Sequence, residues 1–153
     1  MRKFWTAVAT LLLGLAGAMG GAGLYSGWPE VVGIHFLADE SWRASVGLVP
    51  GEDGNLAPSV ALSLDLVLAS GQVWVGDGAA MPDLDYYAGA GVTGSLLKPD
   101  PELNGHAMLG LEAYFTAMKS VGFFGELQLG QRFGFFPFST RPFLGFRVGL
   151  SLR

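Results

Sequence analysis

The sequence predicts an all-β protein, a closed antiparallel up-and-down transmembrane β-barrel of about eight strands that follows an N-terminal signal peptide. Three observations lead to this fold class. The chain of 153 residues is 50% hydrophobic but only 14% charged, it contains 24 glycines, and apolar residues alternate with small or polar ones along much of its length. Because a soluble domain usually carries about 25% charged residues, we expect part of this surface to face lipid.

The first segment has the organisation of a secretory signal peptide. Arg2 and Lys3 give it a basic start, residues 4–15 are apolar, and small residues follow. The predicted division is therefore a signal peptide at residues 1–22 and the barrel at residues 23–153. An uncleaved membrane anchor is the alternative, because about 20 apolar residues suffice to span a bilayer. Removal of the signal peptide leaves seven basic and thirteen acidic residues, a formal charge of −6.

The composition also excludes several classes of function. An acidic chain offers no electrostatic footprint for the phosphate backbone of nucleic acid, so no nucleic-acid partner is predicted. The absence of cysteine from the sequence excludes thiolate metal sites, thiol catalysis and disulfide bonds. Since no run of 18 apolar residues follows Leu24, the sequence does not predict a helical membrane protein.

Alternation with a period of two residues marks the strands. It is clearest in residues 60–68 and 144–153, where one face carries only leucine, valine and phenylalanine. A predicted turn at Ser70-Gly71 separates the first of these strands from a short one at residues 72–76. The remaining predicted strands are 32–36, 42–48, 84–93, 107–116 and 123–132. Turn residues between them favour an antiparallel meander, and closure into a barrel removes its two bare edges.

Alternation alone leaves two orientations open, a soluble barrel with an apolar interior and a membrane barrel with an apolar exterior. The polar face carries too few charges to solvate an outer wall. We therefore predict that these charges line a narrow lumen and form a structural network of salt bridges, because buried charges must be paired. The predicted members are Arg43, Asp65, Asp85, Glu112, Glu126, Arg132 and Arg147.

Aromatic residues cluster near the ends of the predicted strands. Membrane barrels carry girdles of aromatic side chains at both membrane–water interfaces. The sequence thus predicts interface positions for Trp28, Trp42, Trp74, Phe135, Phe136 and Phe138. The alternative for each of them is packing in an ordinary hydrophobic core.

No residue pattern indicates catalysis or metal binding. His35 and His106 are the only histidines, and neither stands at the spacing of a recognised metal motif. The acidic glycine turns at residues 51–55 and 76–78 lack the full ligand series of a calcium loop. The sequence predicts no enzyme activity, no catalytic residue, no cofactor and no metal site.

The alternating pattern resembles that of the small eight-stranded outer-membrane barrels of Gram-negative-type bacteria, the OmpA/OmpX-like class, over residues 31–152. The resemblance rests on pattern and not on a specific motif. It implies a location in the bacterial outer membrane, lipid of that membrane as a partner with other envelope proteins as further candidates, and a non-enzymatic role in envelope structure or surface interaction. Two alternatives stay open: a soluble secreted lipocalin-like barrel that binds an apolar ligand, and an outer-membrane lipid-modifying hydrolase that depends on His35 or His106.

Overall fold

A computed structural model describes residues 21–37, 41–50, 59–77, 81–96, 101–115, 120–135 and 137–152. These residues form eight strands that join in chain order into a closed antiparallel barrel. The predicted all-β class and closed eight-stranded barrel are therefore confirmed. None of the described residues forms a helix, so none supplies an apolar helix long enough to cross a membrane.

Each strand pairs with the next one, and the last pairs back with the first. The strands are β1 (Gly21–Trp28), β2 (Val32–Leu37), β3 (Trp42–Val49), β4 (Ser59–Trp74), β5 (Pro82–Leu96), β6 (Glu102–Phe115), β7 (Val121–Phe135) and β8 (Phe138–Leu152). We call the end of the barrel where β1 begins and β8 finishes the termini end. We call the opposite end, where β1 is joined to β2 and β7 to β8, the far end.

The predicted strand count is right, but two of the assignments behind it are wrong. The turn at Ser70-Gly71 and the separate strand at residues 72–76 do not exist, because β4 continues through both as far as Trp74. Register shifts beside Leu68 and Val73 absorb the extra residues as bulges. The number of strands is still eight because the structure has a further strand, β1, that the alternation does not predict. Its first two residues, Gly21 and Ala22, lie within the predicted signal peptide. Residues 1–20 lie outside the described part of the chain.

The stagger, or shear, of the barrel is found by following register partners once around its wall. The path starts at Asp83 on β5 and passes through Tyr114, Gly122, Ser151, Gly23, His35, Ser45 and Ser63. It returns to β5 at Thr93, so the offset from residue 83 to residue 93 is a shear of ten residues. Barrels of this type tilt their strands by about 35–45°, and with eight strands the interior is just wide enough for side chains.

The two faces of this wall differ in chemistry. Large apolar side chains are exposed on the outside of the strands, among them Leu64, Leu127 and Val148 at 49%, 46% and 52% exposure. The inner face carries polar and charged side chains, and Asp65 and Arg147 on it are 0% and 1% exposed. The described part of the barrel thus has an apolar exterior and an interior rich in polar and charged side chains, with buried aromatic and apolar residues such as Tyr25, Met108 and Phe124 among them.

The height of the wall varies around the barrel. Strands β1 to β3 contain six to eight residues, whereas β4 to β8 contain 14 to 16. At the far end, residues 138–145 of β8 extend beyond Phe146, which is paired with the last residue of β1. At the termini end, residues 67–74 of β4 extend beyond Leu66, which is paired with the first residue of β3. At each end of the barrel, the wall of strands is therefore shorter on one side than on the other.

Candidate functional site

The candidate site is a group of acidic, arginine and histidine side chains in the middle of the lumen, which we call the central cluster. Each of its side chains is at most 5% exposed. Its members are Glu30, Arg43, Asp65, His106, Glu126 and Arg147.

Strand register creates the two halves of this cluster. Arg43 on β3 lies directly opposite Asp65 on β4, and Glu126 on β7 lies directly opposite Arg147 on β8. Opposite charges at paired positions stabilise an antiparallel sheet. The two halves then meet across the lumen, because Arg43 Nη2 lies 3.0 Å from Asp65 Oδ2 and also bonds to Glu126 Oε2. The cluster therefore ties β3 and β4 to the opposite wall.

Arg147 is bound by the largest number of carboxylates. Its Nε and Nη2 donate to the two oxygens of Glu30 at 3.0 and 2.9 Å, the parallel geometry that makes arginine–carboxylate pairs strong. Its Nη1 lies 3.4 Å from Asp65 Oδ2 and 3.7 Å from Glu126 Oε1. Ser63 accepts a further bond from Nη2 at 2.9 Å. The guanidinium group of Arg147 thus balances part of the negative charge of three carboxylates.

Tyrosine, glutamine and histidine side chains complete the hydrogen bonding of the carboxylates. Tyr87 Oη donates to Glu126 Oε2 at 2.9 Å, and Gln128 Nε2 donates to Glu126 Oε1 at 2.7 Å. His106 Nε2 lies 3.1 Å from Asp65 Oδ1. Glycine makes room for this packing, since a Cβ at Gly91 would lie 2.9 Å from His106 Nε2. The buried charges are accordingly paired and hydrogen-bonded, as their burial requires.

Sequence reasoning missed Glu30 and did not place His106. Glu30 lies in the connection between β1 and β2, where alternation along strands gives no information, yet it is only 2% exposed. For His106 a signal existed, because the alternation of β6 puts it on the same face as Met108, which is also buried.

Four of the seven predicted network residues belong to the central cluster, and the other three lie nearer the ends of the lumen. Asp85 and Glu112 are half-buried register partners towards the termini end, where Ser151 donates a hydrogen bond to Glu112. Arg132 lies towards the far end and donates to Asn104 Oδ1 at 3.3 Å. The predicted network residues are therefore spread along the length of the lumen, with four of them at its middle.

The two histidines differ in their surroundings. The His106 ring bonds to Asp65 through Nε2, while its buried Nδ1 has no hydrogen-bond partner in the described structure. His35 packs between Tyr25 and Phe124, with ring centroids 6.2 and 4.9 Å away. Among the described residues, no hydroxyl group bonds to His106 to form a Ser-His-acid arrangement, and no group of three or more histidine and acidic residues is placed to hold a metal ion.

The predicted interface aromatics lie at strand ends and are 43–74% exposed. Trp28, Phe135 and Phe138 are at the far end, and Trp42 and Trp74 are at the termini end. Phe136 lies outside the described residues.

Replacement of Glu30 by glutamine tests the contribution of the connection between β1 and β2. Glutamine keeps the size of the side chain but removes the charge that Arg147 binds, so we expect the free energy of unfolding to fall by about 1–2 kcal/mol. Glu102→Gln is the control, because Glu102 is partly exposed and 3.8 Å from Arg132, and such pairs contribute about 0–1 kcal/mol. Denaturant unfolding of both variants measures the difference, and equal losses would contradict the buried position of Glu30.

No family model, curated protein or solved structure matches this chain. What the barrel can do must therefore be inferred from its own geometry and chemistry.

Proposed function

We propose that this protein is an outer-membrane β-barrel without enzymatic activity, whose lumen is closed by salt bridges and which acts in envelope structure or surface interaction. The observation that carries the proposal is the distribution of polarity, because charged side chains fill the interior while leucine, valine and phenylalanine cover the exterior. A barrel that works in water would need the reverse arrangement.

The energetics of the outer wall support a lipid environment. Burial of apolar surface contributes about 25 cal/mol per Å², and the exposed apolar side chains lie on nearly every strand, including Leu24, Leu64, Leu109, Leu127 and Val148. Soluble monomers seldom expose apolar patches beyond a few hundred Å². A closed barrel also pairs the backbone groups of its strands internally, which hydrocarbon requires. Strands β4 to β8, with 14 to 16 residues, exceed the about 9–11 residues that a tilted strand needs to cross a bilayer.

The aromatic side chains fit the same environment. Trp28 at the far end and Trp42 and Trp74 at the termini end would lie at the two levels where a membrane meets water. Delivery to the envelope rests on the predicted signal peptide at residues 1–22, the last two residues of which belong to β1 in the barrel. The lipid of the outer membrane is the proposed partner.

The interior favours a structural role over the passage of solutes. Arg43 and Arg147 reach carboxylates on the opposite wall, so ion pairs cross the lumen at its middle. Opening a path would separate buried charges, which costs several kcal/mol for each ion. The barrel is therefore proposed as a rigid support for the connections at its two ends.

Fluorescent labels on single cysteines test the proposal, and the chain has no cysteine of its own to interfere. With the protein folded in phospholipid vesicles, we expect labels at Leu64→Cys, Leu127→Cys and Val148→Cys to be quenched by brominated acyl chains. A label at Asp77→Cys, in the exposed connection after β4, should instead be quenched by aqueous iodide. Iodide quenching at all four positions would show that the outer wall faces water and would refute the proposal.

A further inference from the structure

A pair of arginines, Arg132 and Arg141, lies beyond the central cluster, at the far end. Arg132 on β7 and Arg141 on β8 are direct register partners. Alternation places both on the inner face of the wall. Arg132 is an even number of residues from the buried Glu126 and Gln128 on β7. Arg141 is an even number of residues from the buried Phe143 and Arg147 on β8. The two arginines are therefore neighbours on the lumen side of the β7–β8 hairpin.

The Arg132 side chain is held in place by its neighbours. Its Nε donates to Asn104 Oδ1 at 3.3 Å, and its guanidinium lies 5.7 Å from the centre of the buried Phe143 ring. The nearest acid, Glu102, is 3.8 Å from Nη1, which is an ion pair but too long for a hydrogen bond. The outer edge of the guanidinium consequently keeps donors for another acceptor.

Arg141 differs because its positive charge is not neutralised. It is exposed, and no carboxylate of the described residues lies within ion-pair distance of it. Like charges directly opposite each other destabilise an antiparallel pair. An anion bound between Arg132 and Arg141 would convert that repulsion into two charge-assisted interactions.

The shape of the barrel leaves this pair accessible. Residues 138–145 of β8 have no partner on β1, because β1 stops at Trp28. Among the described residues, β1 and β2 therefore leave the inner face of the β7–β8 hairpin uncovered at the far end. Arg141 is exposed and Arg132 is half-buried, so within the described part of the chain an anion can reach them from this end without entering the closed lumen.

We propose that Arg132 and Arg141 form a binding site for a phosphate group. Paired guanidinium forks match the geometry of phosphate oxygens better than lysine does. The phosphate could belong to a lipid headgroup or be free in solution. A lipid source, which rests on the proposed membrane location, fits the outer face of the same hairpin, where Phe138 is 74% and Leu144 is 60% exposed and would contact acyl chains.

Calorimetric titration of the folded barrel in nonionic detergent tests the site. The probes are sodium phosphate and a short-chain phosphatidic acid used below its micelle-forming concentration. We expect saturable binding of at least the phosphatidic acid. Binding at least ten-fold tighter than that of sodium phosphate would assign a lipid source, and equal binding would assign the free anion. No saturable heat with either probe would overturn the proposal.

Substitutions then locate the site. Arg141→Gln should weaken binding about ten-fold or more, because a hydrogen bond to a charged group is lost. The double variant Arg141→Gln, Gln72→Arg is the control. It restores the net charge of the protein with an arginine at the termini end, away from the site, so binding should stay weak. Unchanged binding in Arg141→Gln, or full recovery in the double variant, would overturn the proposal. These titrations need no bilayer, so their result does not depend on the acyl-chain quenching experiment. A failure of the phosphate site can therefore be distinguished from a failure of the proposed membrane location.

Discussion

Replacement of Arg147 by methionine is expected to lower the free energy of unfolding by about 3–5 kcal/mol, the usual loss when one partner of a buried ion pair is removed. The variant would leave Glu30, Asp65 and Glu126 with Arg43 as the remaining guanidinium of the central cluster. Methionine fills much of the arginine volume, so the loss would report charge more than packing. Denaturant unfolding in phospholipid vesicles, followed by tryptophan fluorescence, measures it.

Arg141→Met is the matched control for this experiment. Arg141 lies on the same strand and the same face as Arg147, but it is exposed and unpaired among the described residues. Its loss should change the free energy of unfolding by about 0.5 kcal/mol or less. If Arg147→Met and Arg141→Met had the same effect, the central cluster would not be buried as described.

Leu127→Arg is expected to have the second largest effect. Leu127 lies near the middle of β7, points outward, and is flanked by its register partners Leu109 and Phe146, both exposed and apolar. An arginine on the lipid face at the bilayer midplane costs about 2–4 kcal/mol, and near the interfaces it costs about 0–1 kcal/mol. The free energy of unfolding in vesicles should fall by the larger amount.

Phe138→Arg provides the comparison, because Phe138 is 74% exposed at the far end. It should change the free energy of unfolding by no more than about 1 kcal/mol. A small effect of Leu127→Arg, equal to that of Phe138→Arg, would indicate that the middle of the outer wall is in water. The pair of variants therefore tests the environment of the wall independently of any label.

Alternation was enough to predict the fold class and which residues share a face, since a strand has a period of two whatever its partners are. It could not predict where strands end. Ser70 and Gly71 have the composition of a turn, but in the barrel they lie within β4, between two bulges that keep the strand paired with β5. The prediction omitted β1 and divided β4 into two strands, so these two errors cancelled and the predicted number of strands was right.

The candidate site was predictable only where it lies on strands. Asp65, Glu126 and Arg147 stand opposite apolar faces and could be assigned to the lumen from the sequence. Glu30 could not, because the path of a short connection depends on the heights of the strands that it joins. The pairing of Arg132 with Arg141 was equally inaccessible, since register depends on the connection between β7 and β8 and on the shear of the whole barrel.

The seam of the barrel joins β1 to β8, the first and last of its strands, through seven consecutive pairs from Ala22 with Leu152 to Trp28 with Phe146. A nascent polypeptide that still lacks β8 cannot form these pairs, so the ring stays open until that strand has been synthesised. Contacts between such distant positions also make folding slow. While the ring is open, the edges of β1 and β8 lack their partners, and unpaired strand edges favour aggregation until the seam forms.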